Sequence, residues 1–372
     1  AKLSLDYPIY GSKFLNDDTL LVTGGGGEAD NSVPNKLTAV TIDFTRRKII
    51  KRFRELSLAE DEDAPTCIDT NGSVILLSCN QNSFAIKNGQ NQHLRKYGYI
   101  KEHLRFLQSA QISESINPLE YIKSCCVSPD GSIGCLSTST DEADIFVVDT
   151  SNLEVKFHIN TKTTVKDLCV SPDGKIISYA TPSSIEFIST VTGNLIASKN
   201  LQDYLVSKIK FNNDNTIIIV ATQKKVSGIF LLEFSISKNS LTRNKLINNK
   251  IKSITAMSYH NGLIALSGND ASILLIKESN FKVLKIFPKV HGFAITSIQI
   301  SPNNQYLSST SADNTINVFK LPPNLANHTP FIVLLFKRLM GLIAIILLAI
   351  FLQFLIKHDA FTKVYSYCSK HY

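Results

Sequence analysis

The sequence predicts an all-β fold, a closed propeller of seven sheets, followed by a single C-terminal transmembrane helix. Three observations support this prediction. A strand-turn-strand unit recurs seven times, an N-terminal segment resembles the strand that the last unit lacks, and one uncharged apolar segment lies near the end of the chain. The 372 residues are 44% hydrophobic and 19% charged, which is typical of a folded protein with a large core.

The repeated unit consists of an apolar strand, a turn such as Ser-Pro-Asp-Gly or Asn-Asn-Asp-Asn, and a second β-rich run. Its seven copies begin at Phe14, Ile68, Cys126, Cys169, Lys210, Ser258 and Ile300. Successive turns, from Asn16 to Pro302, are 41 to 58 residues apart. The last four intervals are close to the 40 to 45 residues of a WD40 repeat, and the two longer ones predict insertions in the first two units.

The unit from His291 to Leu321 is the most regular one. It resembles a WD repeat, with Phe319 in place of the tryptophan, and the chain contains no tryptophan at all. Only three strands are visible before the sequence "LPPN" ends the unit. We expect Lys2–Tyr7 to supply the fourth strand, which closes a single seven-bladed WD40-like propeller over residues 1–321. Two separate β domains are the alternative.

The apolar segment from Leu339 to Ile356 contains 18 residues without a charge, between Lys337-Arg338 and Lys357-His358. As a helix it would be about 27 Å long, close to the hydrocarbon thickness of an endoplasmic reticulum bilayer. A buried core helix is the alternative, but such helices are rarely apolar on all sides over this length. We therefore predict a linker and interfacial segment at 322–338, a span at 339–356 and a lumenal tail at 357–372.

The N-terminus lacks the apolar core of a signal peptide, so the propeller is expected to be cytosolic. The net charge is +8, and the clearest basic run, Thr45–Arg54, lacks the interleaved aromatic residues of a nucleic-acid site. None of the seven cysteines forms a CxxC pair or a zinc-type cluster. There are no paired carboxylates and no nucleophile with a base at meaningful spacing, which argues against an enzyme.

The segment of residues 24–35, here called the glycine loop, contains four consecutive glycines, Gly24–Gly27, followed by several side-chain oxygen groups. It is not a dinucleotide fingerprint, because Pro34 and a strand follow where that motif needs a helix. A flexible hairpin tip is one interpretation. A cation site is the other, since backbone carbonyls and side-chain oxygens of this kind bind hard cations and suit potassium.

Several stretches together resemble one family. They are "YPIYGSKFLNDDTLLVTGGGGEADNSVPNKLT" at the N-terminus, "DEDAPTCID" at Asp61, "NQHLRKY" at Asn91, "STVTGNLIA" at Ser189 and "HGFAITSIQISP" at His291. The family is the endoplasmic reticulum membrane guanine nucleotide exchange factor that activates the Sar-type small GTPase to begin COPII coat assembly. The resemblance covers the whole propeller and the position of the anchor.

This resemblance implies that the glycine loop projects from the first blade, binds potassium and contacts the nucleotide-binding face of the GTPase. The implied potassium-binding residues are Gly25, Gly26, Gly27, Glu28 and Asn35. The residues implied to contact the GTPase, either in the loop or on its rim, are Val33, Pro34, Asn35, Asp63 and Pro65. His291 also matches the family, but an opening histidine of a WD unit usually belongs to a structural hydrogen-bond network, here with Asp313.

The resemblance implies a guanine nucleotide exchange factor that promotes GDP release without covalent chemistry. It also implies a single-pass protein of the endoplasmic reticulum membrane with a lumenal C-terminus, with cycling to the Golgi as a further expectation. A membrane-anchored WD-type scaffold without exchange activity is the competing hypothesis. The glycine loop distinguishes the two, because a scaffold has no need of an ordered glycine loop.

Overall fold

Seven four-stranded antiparallel sheets form the described part of residues 1–326 in the computed structural model. The structure describes residues 1–28, 32–45, 48–323, 325 and 331–357, and only the backbone of 48–53, 331–337 and 354–356. Chain contacts separate two units, Ala1–Ala326 and Asn327–Tyr372. The propeller prediction is therefore confirmed for the first unit.

The sheets are numbered here as blades 1 to 7 in chain order. Strand β1 (Lys2–Ser4) belongs to blade 7. Blade 1 contains β2 (Ile9–Phe14), β3 (Thr19–Gly24), β4 (Lys36–Asp43) and β5 (Lys48–Ser57). Blade 2 contains β6 (Cys67–Thr70), β7 (Ile75–Ser78), β8 (Leu94–Ile100) and β9 (His103–Ala110). Blade 3 contains β10 (Ile122–Val127), β11 (Ile133–Thr138), β12 (Asp144–Asp149) and β13 (Val155–Asn160). Blade 4 contains β14 (Asp167–Val170), β15 (Ile176–Ala180), β16 (Ser184–Ser189) and β17 (Leu195–Asn200). Blade 5 contains β18 (Tyr204–Asn213), β19 (Thr216–Gln223), β20 (Ile229–Ser235) and β21 (Ser240–Asn248). Blade 6 contains β22 (Ile254–His260), β23 (Leu263–Gly268), β24 (Ile273–Lys277) and β25 (Lys282–Phe287). Blade 7 contains β26 (Ile295–Ile300), β27 (Tyr306–Ser311) and β28 (Thr315–Lys320), in addition to β1.

The repeated turns join the first two strands of a blade. In blade 4, the Ser171 hydroxyl donates to the Asp173 carboxylate at 2.6 Å and accepts the amide N–H of Ile176 at 2.9 Å. Gly174 has φ +74°, a conformation that glycine adopts without steric cost. The Ser-Pro-Asp-Gly sequence thus closes the turn through its own side chains.

The hydrophobic core lies between neighbouring blades. Each of seven clusters of buried apolar residues joins two adjacent sheets among the described residues. Between blades 4 and 5, Phe187 stacks on Phe234 with ring centroids 5.5 Å apart and meets Phe211 edge-on at 6.3 Å. The second strand of each blade is buried at nearly every position, and β19 is accordingly apolar at the consecutive positions 217–221. In blade 7 the second strand, β27, is equally buried but rich in serine and threonine.

The ring closes through the N-terminal strand. Strand β1 pairs antiparallel with β28, with Leu3 opposite Ile316. The Thr296 hydroxyl of blade 7 donates to the Ile9 carbonyl of blade 1 at 2.7 Å. The prediction that the N-terminus completes the last blade is confirmed, although the strand ends at Ser4 because Tyr7 turns into the core between blades 7 and 1.

The helices of the described residues are few. α1 (Ser83–Lys87) interrupts blade 2, a 3-10 turn spans Glu278–Asn280, and α2 (Phe331–Lys357) lies in the second unit. Within the described residues, no helix combines the length and the apolar content that crossing a membrane requires. The predicted span at 339–356 is therefore not confirmed. The side chains of residues 354–356, and residues 358–372 of the predicted tail, lie outside the described residues.

Replacing Phe187 by alanine should leave a cavity between blades 4 and 5, because the ring is fully buried. We expect the free energy of unfolding to fall by about 3–5 kcal/mol, as for other buried phenylalanines. Urea denaturation followed by circular dichroism measures the change. The control is Phe293→Ala, whose side chain is 68% exposed and should change stability by less than about 0.5 kcal/mol. Equal effects of the two variants would contradict the position assigned to the core.

Candidate functional site

The glycine loop connects β3 to β4 in blade 1, and its first glycines lie against other backbone and side-chain atoms. A Cβ on Gly24 would lie 1.9 Å from the carbonyl oxygen of Pro8, and one on Gly25 would lie 2.0 Å from the Asn35 Oδ1 atom. Neither distance is compatible with a side chain. These two glycines are therefore required by close approach, and they hold the start of the loop against the blade.

Gly27 forms the second contact of the loop with Asn35. Its φ is +80°, and its amide N–H donates to Asn35 Oδ1 at 3.0 Å. A Cβ here would lie 2.9 Å from the Asp63 carboxylate. The four-glycine sequence thus allows the backbone to bend tightly around one amide side chain.

Asn35 is the central residue of this arrangement and is only 3% exposed. Its side-chain amide group donates to the Glu62 carbonyl at 2.8 Å, with a longer contact of 3.5 Å to the Gly27 carbonyl. Its own carbonyl accepts the amide N–H of Leu58 at 2.9 Å. Asn35 therefore joins the glycine loop to residues 58–66, the connection between blades 1 and 2 that is here called the rim segment.

The Glu28 carboxylate is directed away from Asn35, toward blade 2. It accepts the Ser83 amide N–H at 3.0 Å and the Ser83 hydroxyl at 2.5 Å. Asn82, the N-cap of α1, donates to the Asp61 carboxylate at 2.7 Å. The loop, the rim segment and α1 are thus connected to one another by hydrogen bonds.

The predicted contact residues differ in burial. Val33 and Pro34 are half-buried, and Val33 packs against the cluster between blades 7 and 1. Pro65 is buried, whereas Asp63 is half-buried beside Gly27. Residues 29–31, which complete the loop, lie outside the described residues. The structure therefore brings Asp63 to the glycine loop but places Pro65 inside the fold.

The oxygens around Asn35 are of the type that a potassium ion binds. Asn35 Oδ1 and the Gly27 carbonyl are neutral, and a carbonyl oxygen that accepts one hydrogen bond keeps a second lone pair. The described residues contain no group of three or more His, Cys, Asp or Glu side chains that could hold a metal ion. Asn35 Oδ1 and the Gly27 carbonyl are thus neutral oxygens of the kind that a monovalent cation binds, and the Glu28 carboxylate accepts its hydrogen bonds from Ser83.

The predicted network around His291 is present. Its Nδ1 atom lies 2.7 Å from the Thr315 hydroxyl, and its Nε2 atom lies 2.8 Å from the Ser309 hydroxyl. Asp313 lies 3.4 Å from Nδ1 and accepts the Gly292 amide N–H at 2.6 Å. Burial lowers the pKa of His291, although Asp313 opposes the shift. His291 thus fixes the entry to blade 7 and belongs to the scaffold.

Two parts of the site were missed by the sequence analysis. One is the contact between Glu28 and α1, whose start is marked in the sequence by Asn82 before an apolar run. The other is a buried ion pair between Glu62 and Arg95 on β8, with N–O distances of 2.6 and 2.7 Å. A single arginine within the apolar strand "LRKYGYI" is the signal that could have indicated it, since buried arginines are nearly always paired.

His93, close to this ion pair in sequence, is buried in its neutral form. Its Nε2 atom accepts the amide N–H groups of Ile112 and Ser113, each at 3.3 Å. Burial, with a smaller contribution from Arg95, lowers the pKa of His93 to about 4. The ordinary pKa of a histidine, which applies to the unfolded chain, is near 6.5. Above that pH His93 is neutral in both states, and the fold keeps its full stability.

We expect the folded state to lose stability as the pH falls from about 6.5 towards 4, because the unfolded chain then binds a proton that folded His93 does not. The melting temperature at pH 7.5 and at pH 5.0 measures this loss. The drop should be smaller in His93→Gln, which cannot be protonated. The exposed His103→Gln serves as the control and should behave like the wild type. An equal drop in His93→Gln would show that other groups cause the acid sensitivity.

Comparison with known proteins gives consistent results. The family model "WD domain, G-beta repeat" matches residues 281–320. A guanine nucleotide-exchange factor, SEC12 of Candida glabrata, is 39% identical over 370 residues, which cover 97% of this chain and 81% of that protein. The protein named "Putative guanine nucleotide-exchange factor SED4" is 34% identical in Saccharomyces cerevisiae and 33% identical in C. glabrata. This chain spans only 35% and 36% of the length of those two relatives.

Proposed function

Because the chain belongs to the guanine nucleotide-exchange factor family of SEC12, we propose that it releases GDP from a Sar-type small GTPase at the endoplasmic reticulum membrane and so starts COPII coat assembly. An exchange factor has a small GTPase as its partner and performs no covalent chemistry itself. The proposal therefore concerns which GTPase it acts on, where it acts, and which residues act.

The observation that carries the proposal is the set of hydrogen bonds made by the described residues of the glycine loop. Asn35 bonds to Gly27 and to the rim segment, and Glu28 bonds to Ser83 of α1. Residues that are already held in place lose less conformational entropy when they meet a partner. A scaffold that only gathers partners has no need of these fixed residues, so the hydrogen bonds favour exchange activity over a scaffold role.

The free energies involved define the task of the loop. Nucleotide affinities of nanomolar to picomolar correspond to about 12–16 kcal/mol. An acceleration of release by 10³ to 10⁵ requires about 4–7 kcal/mol less barrier. By linkage, the factor must bind the empty GTPase more tightly than the loaded one by the same ratio by which it weakens nucleotide binding. In this proposal the loop supplies that difference, with Val33, Pro34, Asn35 and Asp63 at or next to the contact.

Potassium is the proposed cofactor of the loop. The carbonyls of Gly25–Gly27 and the Asn35 side-chain oxygen would hold it, and the tight approach of the glycines to Asn35 supports this assignment. A bound cation would offset the repulsion between converging carbonyl dipoles. Asn35 would orient the loop, and the glycines would let the backbone bend tightly enough to direct its carbonyls at the ion.

The proposed location is the endoplasmic reticulum membrane, with the propeller cytosolic, the C-terminus lumenal and cycling to the Golgi. The apolar surface of α2 supports membrane attachment. Its large apolar side chains from Leu339 to Leu352 are each at least 42% exposed, and they occupy all sides of the helix. A helix that is apolar on all sides belongs in a core or in lipid.

We expect the full chain to accelerate GDP release from a Sar-type GTPase by 10³-fold or more in potassium buffer, and much less in sodium or lithium buffer. Asn35→Ala should lower the rate about 100-fold, because it leaves the Gly27 N–H and the Glu62 carbonyl unpaired. Fluorescent GDP loaded on the GTPase reports release. The control is Asn71→Ala, which removes an asparagine from the turn between β6 and β7 and should retain full activity.

Each contrary outcome removes a different part of the proposal. Equal rates in potassium and sodium would exclude the cation, and normal exchange by Asn35→Ala would exclude the loop. Equal acceleration of an unrelated small GTPase would exclude the Sar-type assignment. A chain without activity in any salt would leave a scaffold.

We expect the full chain to float with vesicles of endoplasmic reticulum lipid composition, because α2 exposes apolar side chains along its described length. Leu347→Arg should weaken vesicle binding about 100-fold, since a charged side chain in the hydrocarbon region costs about 2.5–3.5 kcal/mol. Leu195→Arg, a substitution at a leucine that is 57% exposed in blade 4, serves as the control and should leave flotation unchanged. Equal flotation of both variants would exclude α2 as the attachment.

A further inference from the structure

We infer that the buried ion pair between Arg95 and Glu62 is a positioning device for the exchange loop. Among the described residues, Arg95 bonds to Glu62 rather than to the loop itself. It holds Glu62, and Glu62 holds Asn35. The inference rests on the proposed function of the loop, and it assigns to blade 2 the role of setting the position of a loop that belongs to blade 1.

The ion pair is bidentate and enclosed. The two terminal nitrogens of Arg95 donate to the two carboxylate oxygens of Glu62 at 2.7 and 2.6 Å. The side chain of Arg95 is 8% exposed and that of Glu62 is 14% exposed. Two parallel charge-assisted hydrogen bonds fix the relative orientation of both groups, as a single point contact does not. The rim segment is therefore held in one orientation relative to β8.

Glu62 connects this pair to the loop through its backbone. The residue that offers its carboxylate to Arg95 offers its carbonyl to the Asn35 side chain at 2.8 Å. Asn35 Oδ1 in turn accepts the amide N–H of Gly27 at 3.0 Å. A movement of the Glu62 side chain that turns its peptide group would therefore change the position of Asn35, and with it the curvature of the glycine loop.

Stability alone does not explain why this position carries charges. Replacing a buried ion pair by apolar side chains of similar size is often neutral or stabilising, because burial costs both ions their hydration. The buried cluster between blades 1 and 2 consists of apolar side chains, including Leu37, Ile68 and Tyr97. An apolar pair would extend that core, but it would not fix the orientation of a peptide group.

The test compares Arg95→Met with Arg243→Met in the full chain. Arg243 forms a similar half-buried pair with Glu233 at 2.8 Å, on blade 5 and far along the chain from the loop. We expect Arg95→Met to lower kcat/KM for GDP release at least 10-fold, mainly through kcat. Arg243→Met should lower it less than 2-fold. Hydrogen exchange of peptides covering residues 24–35 should become faster in Arg95→Met only, because the Gly27 amide loses its fixed acceptor.

A second variant separates positioning from folding. Arg95→Met weakens the fold as well, since it leaves a buried carboxylate unpaired. In the double variant Glu62→Met/Arg95→Met the melting temperature should return toward that of the wild type. The kcat/KM for GDP release should stay at least 10-fold below the wild-type value. If activity recovers together with the melting temperature, the pair serves only stability and the inference is wrong.

Hydrogen exchange distinguishes failure of this inference from failure of the proposed function. If the wild type does not accelerate GDP release, the proposed function fails, and protection of residues 24–35 still decides the inference. Unchanged protection in Arg95→Met would overturn it. Faster exchange in Arg95→Met and not in Arg243→Met would support it regardless of activity.

Discussion

The need of each sheet to bury both of its faces governs this structure. A four-stranded sheet with apolar residues on both sides is stable only between two other sheets. The last blade must therefore pack against the first, which closes the ring. The seven clusters between blades and the pairing of β1 with β28 meet that requirement. A frame closed in this way is stiff, and it can carry segments whose own sequence is poor in apolar residues.

The glycine loop depends on that stiffness. Its residues contribute little to the core apart from Val33, and four glycines in a row have a high conformational entropy to lose on ordering. Polar contacts order it instead: Asn35 to the rim segment, Glu28 to α1 and the tight approach of Gly24 to Pro8. Each contact has its partner on the rigid frame. The described residues of the loop are therefore held by their surroundings rather than by their own conformational propensity.

The sequence allowed the frame to be predicted better than the site. The strands, the turns and the completion of blade 7 follow from patterns within a few residues, such as the serine and aspartate that close a Ser-Pro-Asp-Gly turn. The glycine loop and Asp63 were assigned to the site through resemblance to a family, and this assignment stays a prediction. What was missed depends on partners far along the chain. Glu28 meets Ser83 from 55 residues away, and Arg95 meets Glu62 from 33 residues away. No local spacing encodes such pairs, and Pro65 is buried by neighbours that the pattern does not reveal.

The closing strand also has a consequence for how the protein is made. Residues Lys2–Ser4 are synthesised before the rest of the propeller, yet their partner strand, Thr315–Lys320, is synthesised more than 300 residues later. At about 5–20 residues per second, the first strand waits on the order of 15 to 60 seconds for its partner. During that interval β28 does not yet exist, and blade 1 has a core face without its neighbour. The nascent propeller therefore exposes apolar surface until blade 7 has been translated, and the ring becomes complete only then.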